Sequence, residues 1–308
     1  MSTVTPLHAS ARPVRDLAGY SRFSDYWALT KPEVNVLILI TTFAGFYLGC
    51  ASEGRACSLF ALFNALFGTL LVASGTATLN QYIERDFDAQ MRRTARRPLA
   101  AGRLKPHAVL VFGITLSVAG TIYLAFASGM LASLLALITL LAYLFVYTPL
   151  KRITSACVLV GAFPGAVPPL IGWAAATGKL HTEAWLLYAI LFLWQFPHFM
   201  AIAWIYREDY DRAGYLVLPR GESRIPAVIL QVLLPLVVLI PLGALQFSPR
   251  YTGPFLFVGL LLSLAFLYFG VKFSLERSNL AARRLLAASI VYLPLLFLLS
   301  AMQSFIGT

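Results

Sequence analysis

The sequence predicts an all-α, polytopic membrane protein with nine transmembrane helices around a central cavity. Of the 308 residues, 59% are apolar and only 12% are charged, and the mean hydropathy is +0.77. A helix needs about 20 apolar residues to cross a bilayer core about 30 Å thick, so the apolar content suffices for about nine spans. The apolar runs are long and continuous, whereas a β-barrel would show short alternating segments. These observations exclude a soluble enzyme and a membrane β-barrel.

The chain divides into nine predicted spans when breaks are placed at Gly, Pro and clusters of charge. The spans cover residues 33–50, 58–82, 107–127, 130–148, 155–176, 183–206, 226–247, 253–273 and 285–304. Residues 1–30 carry Arg12, Arg15 and Arg22 but no apolar stretch that ends in a small-residue cleavage site, so no signal peptide is predicted. We therefore expect a cytoplasmic N-terminal tail at 1–30 and one transmembrane domain at 31–308.

The fifth predicted span contains three prolines, Pro164, Pro168 and Pro169. A proline inside a helix removes a backbone hydrogen bond and bends the helix. We therefore expect this span to be bent.

The three cysteines, Cys50, Cys57 and Cys157, form no CxxC pair and so indicate neither a zinc site nor a redox motif. Cys50 and Cys57 lie at the two ends of one predicted loop. They could form a disulfide if that loop faces an oxidising compartment, and the sequence leaves both states open.

The basic residues are distributed unevenly between the two ends of these spans. The chain has 24 Lys and Arg residues against 13 Asp and Glu residues, a net charge of +11. All the basic residues except Arg55, Lys179 and Arg250 lie at the end that carries the N-terminus. Basic residues that flank apolar runs set the orientation of a membrane protein. We therefore predict that this end is cytoplasmic, and that the charge serves orientation and not nucleic-acid binding.

Carboxylates are concentrated at the same end, although orientation does not require them. Only Glu53 and Glu183 lie elsewhere. Two clusters follow the second and sixth predicted spans: Glu84, Asp86 and Asp88, and Glu208, Asp209 and Asp211. We infer that these clusters belong to a functional site.

Asn80, Glu84 and Asp88 are spaced four residues apart, so they share one face if the second helix continues to residue 88. We call these three residues the oxygen stripe. Such a row of oxygen ligands suits Mg²⁺, which is held by a few carboxylates and by substrate phosphates. The alternative is a solvated helix end. Asn80 favours the metal site, because an amide inside an apolar run is costly without a partner.

Basic residues follow the oxygen stripe and the fourth span. The connection after the oxygen stripe contains Arg92, Arg93, Arg96, Arg97 and Arg103, and the fourth span is followed by Lys151 and Arg152. Cations beside a carboxylate stripe could bind the oxygens of a metal-bridged diphosphate. For any single arginine, orientation or attraction to anionic lipid is the alternative. In the second acidic cluster the spacing is irregular, and Asp209 is the preferred ligand.

His198 lies inside the sixth predicted span, directly after Pro197. It precedes Tyr206 by eight residues, which places it roughly 12 Å from the end of the helix at 1.5 Å per residue. An ionisable side chain at this depth faces a cavity or a polar partner. It could therefore serve a ligand, or it could bond a carbonyl that Pro197 leaves free.

The motifs together make the chain similar to the UbiA superfamily of intramembrane prenyltransferases. The superfamily motif Asn-x-x-x-Asp-x-x-x-Asp is matched by the oxygen stripe, with Glu84 in the middle position. The branch that farnesylates haem is matched more narrowly, in residues 80–98, 147–152, 194–199, 208–210 and 213–214. The resemblance extends from the first span to the ninth. The second superfamily motif, Asp-x-x-x-Asp, is incomplete, because Ala213 stands four residues after Asp209.

The resemblance implies transfer of the farnesyl group of farnesyl diphosphate to a vinyl group of haem B, which gives haem O for terminal oxidases. It implies Mg²⁺ as the cofactor, with Asn80, Glu84, Asp88 and Asp209 as ligands. These four residues, Lys151 and Arg152 would be catalytic, and the diphosphate would be bound by Arg85, Arg93, Arg97, Lys151 and Arg152. His198 and Trp194 would bind the haem. A lipid-walled cavity would hold the farnesyl chain.

The resemblance also implies the surroundings of the protein. We expect a multi-pass protein of the bacterial cell inner membrane that contacts membrane lipid and no nucleic acid. Haem A synthase or an oxidase assembly factor is the candidate protein partner.

Two other functions fit parts of the sequence. A prenyltransferase for an aromatic quinone precursor would share the oxygen stripe but would need no iron-binding histidine. A transporter would place its polar groups near the bilayer midplane at broken helices, and not in clusters at one end. The positions of the two acidic clusters argue against a transporter.

Overall fold

The computed structural model describes residues 21–219, 221, 224–246 and 252–307. The helices are α1 (Arg22–Leu29), α2 (Pro32–Ser52), α3 (Leu59–Asp88), α4 (Pro106–Ala127), α5 (Met130–Leu141), α6 (Thr148–Leu150), α7 (Cys157–Gly165), α8 (Pro168–Thr177), α9 (Thr182–Ile205), α10 (Arg207–Arg212), α11 (Arg224–Leu245), α12 (Thr252–Glu276) and α13 (Asn279–Gly307). The expectations for residues 1–20, Arg220 and Arg250 lie outside the described residues.

Within these ranges, nine helices are long and apolar enough to cross a membrane. They are α2, α3, α4, α5 with α6, α7 with α8, α9, α11, α12 and α13. Each overlaps one predicted span, so the all-α, nine-span prediction is confirmed.

The nine spans close into a ring. Neighbouring spans pack as α2 on α3, α3 on α4, α4 on α5 and α5 on α8, and the second half continues from α9 through α11 and α12 to α13. The ring closes because the two halves meet at two places, where α8 packs on α9 and where α13 packs on α2. Across it, α2 and α8 approach closely: a Cβ on Gly172 would overlap the carbonyl oxygen of Thr42, and one on Gly45 would overlap that of Pro169. Only glycine permits this contact between the two backbones.

The second span is longer than predicted, since α3 continues beyond residue 82 to Asp88. Its side-chain cap is at the other end, where Ser58 accepts a hydrogen bond from the backbone N–H of Ala61. The charged residues that suggested a helix end are part of the helix. The oxygen stripe therefore lies on regular helix.

The fourth span changes its winding near the basic end. Between α5 and α6 the helix passes through a π-helical turn, Ala142–Tyr147. Such turns are rare and occur frequently at functional sites. Here the turn brings Tyr143 and Tyr147 beside Lys151, whose Nζ lies 5.9 and 4.5 Å from the centres of the two rings.

The fifth span is interrupted, as its prolines predict. It consists of α7 and α8, separated at Ala166 and Val167 just before Pro168. Gln195 of α9 fits against the break, where its Nε2 donates to the carbonyl oxygen of Ala162 at 3.1 Å. The broken span is the most deeply buried of the nine.

The last residues of the predicted tail form a short helix, α1, that packs on the connection between α3 and α4. Ser21 caps this helix by accepting from the backbone N–H of Ser24. Asp25 forms a buried ion pair with Arg103 at 2.9 Å, and Leu29 is fully buried. The chain is thereby fixed where it enters the first span.

The segments that carry the acidic clusters lie at the same end of the bundle. The backbone N–H of Arg93, after α3, bonds Asp209 of α10, and Arg207 bonds Asn279 at the start of α13. The connection between α2 and α3, with the ion pair of Arg55 and Glu53, lies at the other end. The expected grouping of both clusters at one end is confirmed.

Candidate active site

The oxygen stripe is buried on one face of α3. Asn80, Glu84 and Asp88 are 1%, 6% and 1% exposed. Asp86 points the other way, with 74% of its side chain exposed. The helical spacing therefore assigned the inward and outward residues correctly.

Both carboxylates of the stripe are paired with cations. Lys151 Nζ donates to Glu84 Oε1 at 2.8 Å, and Arg97 Nη1 contacts both oxygens of Asp88 at 2.8 and 2.7 Å. Thr94 also donates to the backbone carbonyl of Asp88, which fixes the start of the arginine-rich connection. Lys151 and Arg97 were both predicted to lie at the site, and the structure brings them there.

Asn80 is held by groups from two other segments. Lys31 Nζ donates to its Oδ1 at 3.1 Å, and its Nδ2 donates to Thr148 Oγ1 at 3.3 Å. Thr148 in turn donates to the carbonyl oxygen of Tyr143 in the π-helical turn. The site thus combines α3 with the start of the first span and the end of the fourth.

The two lysines of the site have different electrostatic surroundings. Burial, followed by repulsion from Arg97, lowers the pKa of Lys31 to about 7 although Glu84 opposes the shift. Burial also acts to lower the pKa of Lys151, but the electrostatic effects of Tyr147 and Glu84 outweigh it and raise this pKa well above its ordinary value. Lys151 is thus the more firmly charged of the two.

The second acidic cluster reaches the site through Asp209. This residue is buried, accepts from the backbone N–H of Arg93 at 3.3 Å, and pairs with Arg212 at 3.0 Å. The Arg93 guanidinium lies over the rings of Tyr206 and Tyr210, 4.8 and 4.7 Å from their centres. The connection after α3 is therefore attached to the segment after α9.

Two predicted diphosphate-binding residues, Arg85 and Arg152, lie against aromatic rings. Arg85 lies over the ring of Tyr82 and bonds its carbonyl oxygen, and with Asp86 it lines a separate cleft of about 550 Å³. Arg152 lies over the ring of Phe87, 4.2 Å from its centre. Arg152 still borders the site, because it lines the same cleft as Glu84.

That second cleft has a volume of about 460 Å³ and combines charged and apolar walls. Glu84, Thr148 and Arg152 supply the polar side, and Ile83 and Ile153 are exposed apolar residues at its edge. Tyr215 lies in the wall beside Glu84; burial, followed by the charge of Glu84, raises the pKa of its hydroxyl.

The oxygen atoms that the stripe offers as metal ligands suit a hard divalent cation, since all are carboxylate or amide oxygens. Within residues 21–219, 221, 224–246 and 252–307, no three acidic, His or Cys side chains converge on one point. The stripe supplies only two such side chains, Glu84 and Asp88, and both form ion pairs with cations of the chain. The residues therefore fit Mg²⁺ in chemistry, and binding it would require these pairs to open.

His198 and Trp194 lie apart from the oxygen stripe, between α9 and α13. Their rings stack with centroids 4.6 Å apart. His198 Nδ1 pairs with Ser289 Oγ at 2.8 Å, and Trp194 Nε1 donates to the Ser289 carbonyl oxygen at 2.8 Å. The partner of His198 is thus a serine of the last span, and not a carbonyl freed by Pro197.

Several residues of the site were not predicted from the sequence: Lys31, Tyr143, Thr148, Arg212 and Tyr215. Thr148 lies within the stretch 147–152 that carries the resemblance, so this motif offered a signal for it. Lys31 was counted only as one of the basic residues of the N-terminal segment. No local pattern reveals its contact with a residue 49 positions later.

The described residues thus form a helical membrane protein of nine spans, with the oxygen stripe and its cations at one end. Residues 38–301 match the UbiA prenyltransferase family, and the chain belongs to this family.

Three relatives similar in sequence share one description. A protein of Solibacter usitatus described as protoheme IX farnesyltransferase is 45% identical over 89% of this chain and 96% of its own length. A protein of Koribacter versatilis with the same description is 42% identical over 96% of this chain and 97% of its own length. One of Myxococcus xanthus is also 42% identical, over 89% of this chain and 92% of its own length.

Solved structures share the fold at low sequence identity. A digeranylgeranylglyceryl phosphate synthase has a TM-score of 0.70 at 16% identity, covering 92% of this chain and 98% of its own. A UbiA homologue from Archaeoglobus fulgidus, solved with GPP and Mg²⁺, has a TM-score of 0.64 at 15% identity, covering 90% of this chain and 99% of its own. The family fold is thus retained across this distance.

Proposed function

We propose that this chain transfers the farnesyl group of farnesyl diphosphate to a vinyl group of haem B, forming haem O for terminal oxidases. The observation that carries this proposal is the oxygen stripe with its cations, in a chain whose relatives over nearly full length are described as protoheme IX farnesyltransferases. The cleft beside Glu84 suits such a donor, because its charged wall fits a diphosphate and its apolar edge fits an isoprenoid chain.

In this reaction the bond between C1 of the farnesyl group and the diphosphate oxygen breaks, and the leaving diphosphate takes the electron pair. Lys151 and Arg97 are placed to stabilise the departing charge, because both already lie against the stripe. Asn80, Glu84, Asp88 and Asp209 would hold Mg²⁺, which neutralises diphosphate oxygens when bound. Arg93 and Arg152 border the same end and assist binding.

The allylic cation formed at C1 is attacked by a vinyl carbon of the haem. Water then adds to the cation left on the neighbouring carbon and loses a proton, which gives the hydroxyethylfarnesyl group. The apolar surroundings protect the first cation, since early access of water would convert it to farnesol. Phe87, in the wall of the cleft, contributes to this exclusion.

We infer that the imidazole of His198 is oriented to bind the haem iron through Nε2. The Ser289 hydroxyl donates its only proton to the carbonyl oxygen of Leu286 at 2.6 Å, so it must accept from His198 Nδ1–H. The hydrogen-bond network therefore assigns the proton to Nδ1 and leaves the lone pair on Nε2. Metal-binding histidines are oriented in this way. We place His198 and its stacking partner Trp194 at the haem.

The proposed setting is the bacterial inner membrane, with the basic end and the N-terminus in the cytoplasm. The excess of Lys and Arg at that end supports this orientation. The product stays in the membrane, so haem A synthase or an oxidase assembly factor is the proposed partner.

The test is an assay of the purified protein with haem B, farnesyl diphosphate and Mg²⁺. We expect haem O in the product fraction, identified by mass spectrometry, and none when Mg²⁺ is chelated. A parallel reaction offers an aromatic quinone precursor in place of haem. Prenylation of that precursor without formation of haem O would contradict the proposal.

A further inference from the structure

Lys31 adopts a backbone conformation that is unusual for lysine. Its φ is 51°, in the left-handed region, and it directly precedes Pro32. A side chain with a Cβ is disfavoured in this region, which glycine enters freely. Among the described residues, only Arg277 shares a positive φ without being glycine. The turn alone therefore does not explain why a lysine stands here.

Neighbouring side chains hold this turn from both sides. Gln81 Nε2 donates to the carbonyl oxygen of Leu29 at 2.8 Å. Asn35 Nδ2 donates to the carbonyl oxygen of Thr30 at 2.9 Å and also contacts Ser74. A strained residue persists when its surroundings fix it in this way, and such residues are concentrated at functional sites.

The result of this turn is that Lys31 Nζ reaches Asn80 Oδ1 at 3.1 Å. Lys151 has the same relation to Glu84, and Arg97 to Asp88. All three members of the oxygen stripe are therefore matched by one cation each.

We propose that Lys31 binds the diphosphate of the substrate, as a third cation beside Lys151 and Arg97, and that Asn80 holds it until the substrate arrives. The inference rests on the proposed function, because it requires a metal diphosphate at the stripe. Asn80 Oδ1 would release the ammonium group of Lys31 if it held a divalent cation, since both groups are positive. The flexible side chain of lysine then lets Nζ turn to the negative oxygens of the diphosphate.

The test measures binding of inorganic diphosphate with Mg²⁺ to the purified full-length protein by calorimetry. Lys31→Met should weaken binding by about 10-fold or more, because a charged contact is lost. Lys31→Gly should weaken it equally while leaving the thermal unfolding temperature unchanged or raised, because glycine relieves the backbone. Lys31→Arg should restore most of the affinity. In turnover, the KM for farnesyl diphosphate should rise and that for haem should not.

Lys105→Met is the matched control. Lys105 is an exposed cation at the start of α4 on the same end, so its loss removes the same charge without touching the stripe. Wild-type affinity in both Lys31→Met and Lys31→Gly would overturn the inference, as would an equal loss in Lys105→Met. Failure of the unaltered protein to bind the magnesium diphosphate would instead count against the proposed function.

Discussion

Asp88 is the side chain whose replacement tests the oxygen stripe most directly. Asp88→Asn removes one charge without loss of volume, and we expect turnover to fall by about 100-fold or more. A buried cation left without its partner costs about 3–5 kcal/mol. Arg97, however, keeps 27% of its side chain exposed and can turn to water, so the fold should survive. Turnover and thermal unfolding of the same preparation measure the two effects.

Asp86→Asn is the control for this substitution, because Asp86 lies two residues away and faces outward. It should leave both turnover and unfolding temperature close to those of the unaltered protein. Severe losses of similar size at both positions would refute the assignment of the stripe to one helical face.

Substitution of His198 distinguishes a haem-binding site from a site for a quinone precursor. His198→Ala should weaken haem binding, seen as a changed Soret band on titration, and leave the affinity for farnesyl diphosphate nearly intact. Ser289→Ala keeps the imidazole but removes the acceptor of its Nδ1 proton, so it should perturb the Soret band less. An unaltered Soret titration with normal activity in His198→Ala would remove this residue from the site.

The sequence predicted side chains at this site where they follow a local rule. Asn80, Glu84 and Asp88 share a helical face, and the period of the helix is visible in the sequence. The partners of these residues obey no such rule: Lys31 meets Asn80, 49 positions later, because the turn before α2 is held against α3. Contacts between distant segments depend on packing, which the sequence does not display.

The crossing of α2 and α8 depends on glycine. Gly172→Ala places a methyl group against the carbonyl oxygen of Thr42, so the backbones must separate. We expect a loss of about 1–3 kcal/mol in stability, measured by thermal unfolding in detergent. Gly253→Ala is the control, since a Cβ at that position of α12 meets no atom within 4 Å. Equal unfolding temperatures for the two variants would contradict the described crossing.

The boundaries of the spans show what hydropathy can and cannot predict. Most predicted ends lie within a few residues of the helix ends, because the apolar runs are long. Two predictions were wrong by six residues: α3 continues to Asp88 instead of ending at 82, and α13 begins at Asn279 instead of 285. In both cases the additional helical residues include charged side chains, which lower the hydropathy of that turn. Hydropathy reports which residues enter lipid, whereas a helix continues as long as its backbone bonds are made.

The orientation of the bundle can be tested with two exposed positions. Lys179 follows α8 and Arg277 follows α12, and nine antiparallel spans place them at opposite ends. In a cysteine-free background, Lys179→Cys and Arg277→Cys should react with an impermeant thiol reagent from opposite sides of the membrane, with residue 277 on the cytoplasmic side. Labelling of both from the same side would exclude the nine-span topology.

The charged pairs at the basic end also bear on how the chain is inserted during synthesis. Glu84 and Lys151 are 67 residues apart, and Arg93 and Asp209 are 116 apart, yet each pair meets at one end of the bundle. With the basic end in the cytoplasm, as proposed, none of these groups would have to cross the hydrocarbon as its span is inserted, a transfer that would be costly for a charge. The partners meet only after later spans have entered. We therefore expect a nascent chain that stops before residue 209 to lack part of the proposed site and to be inactive.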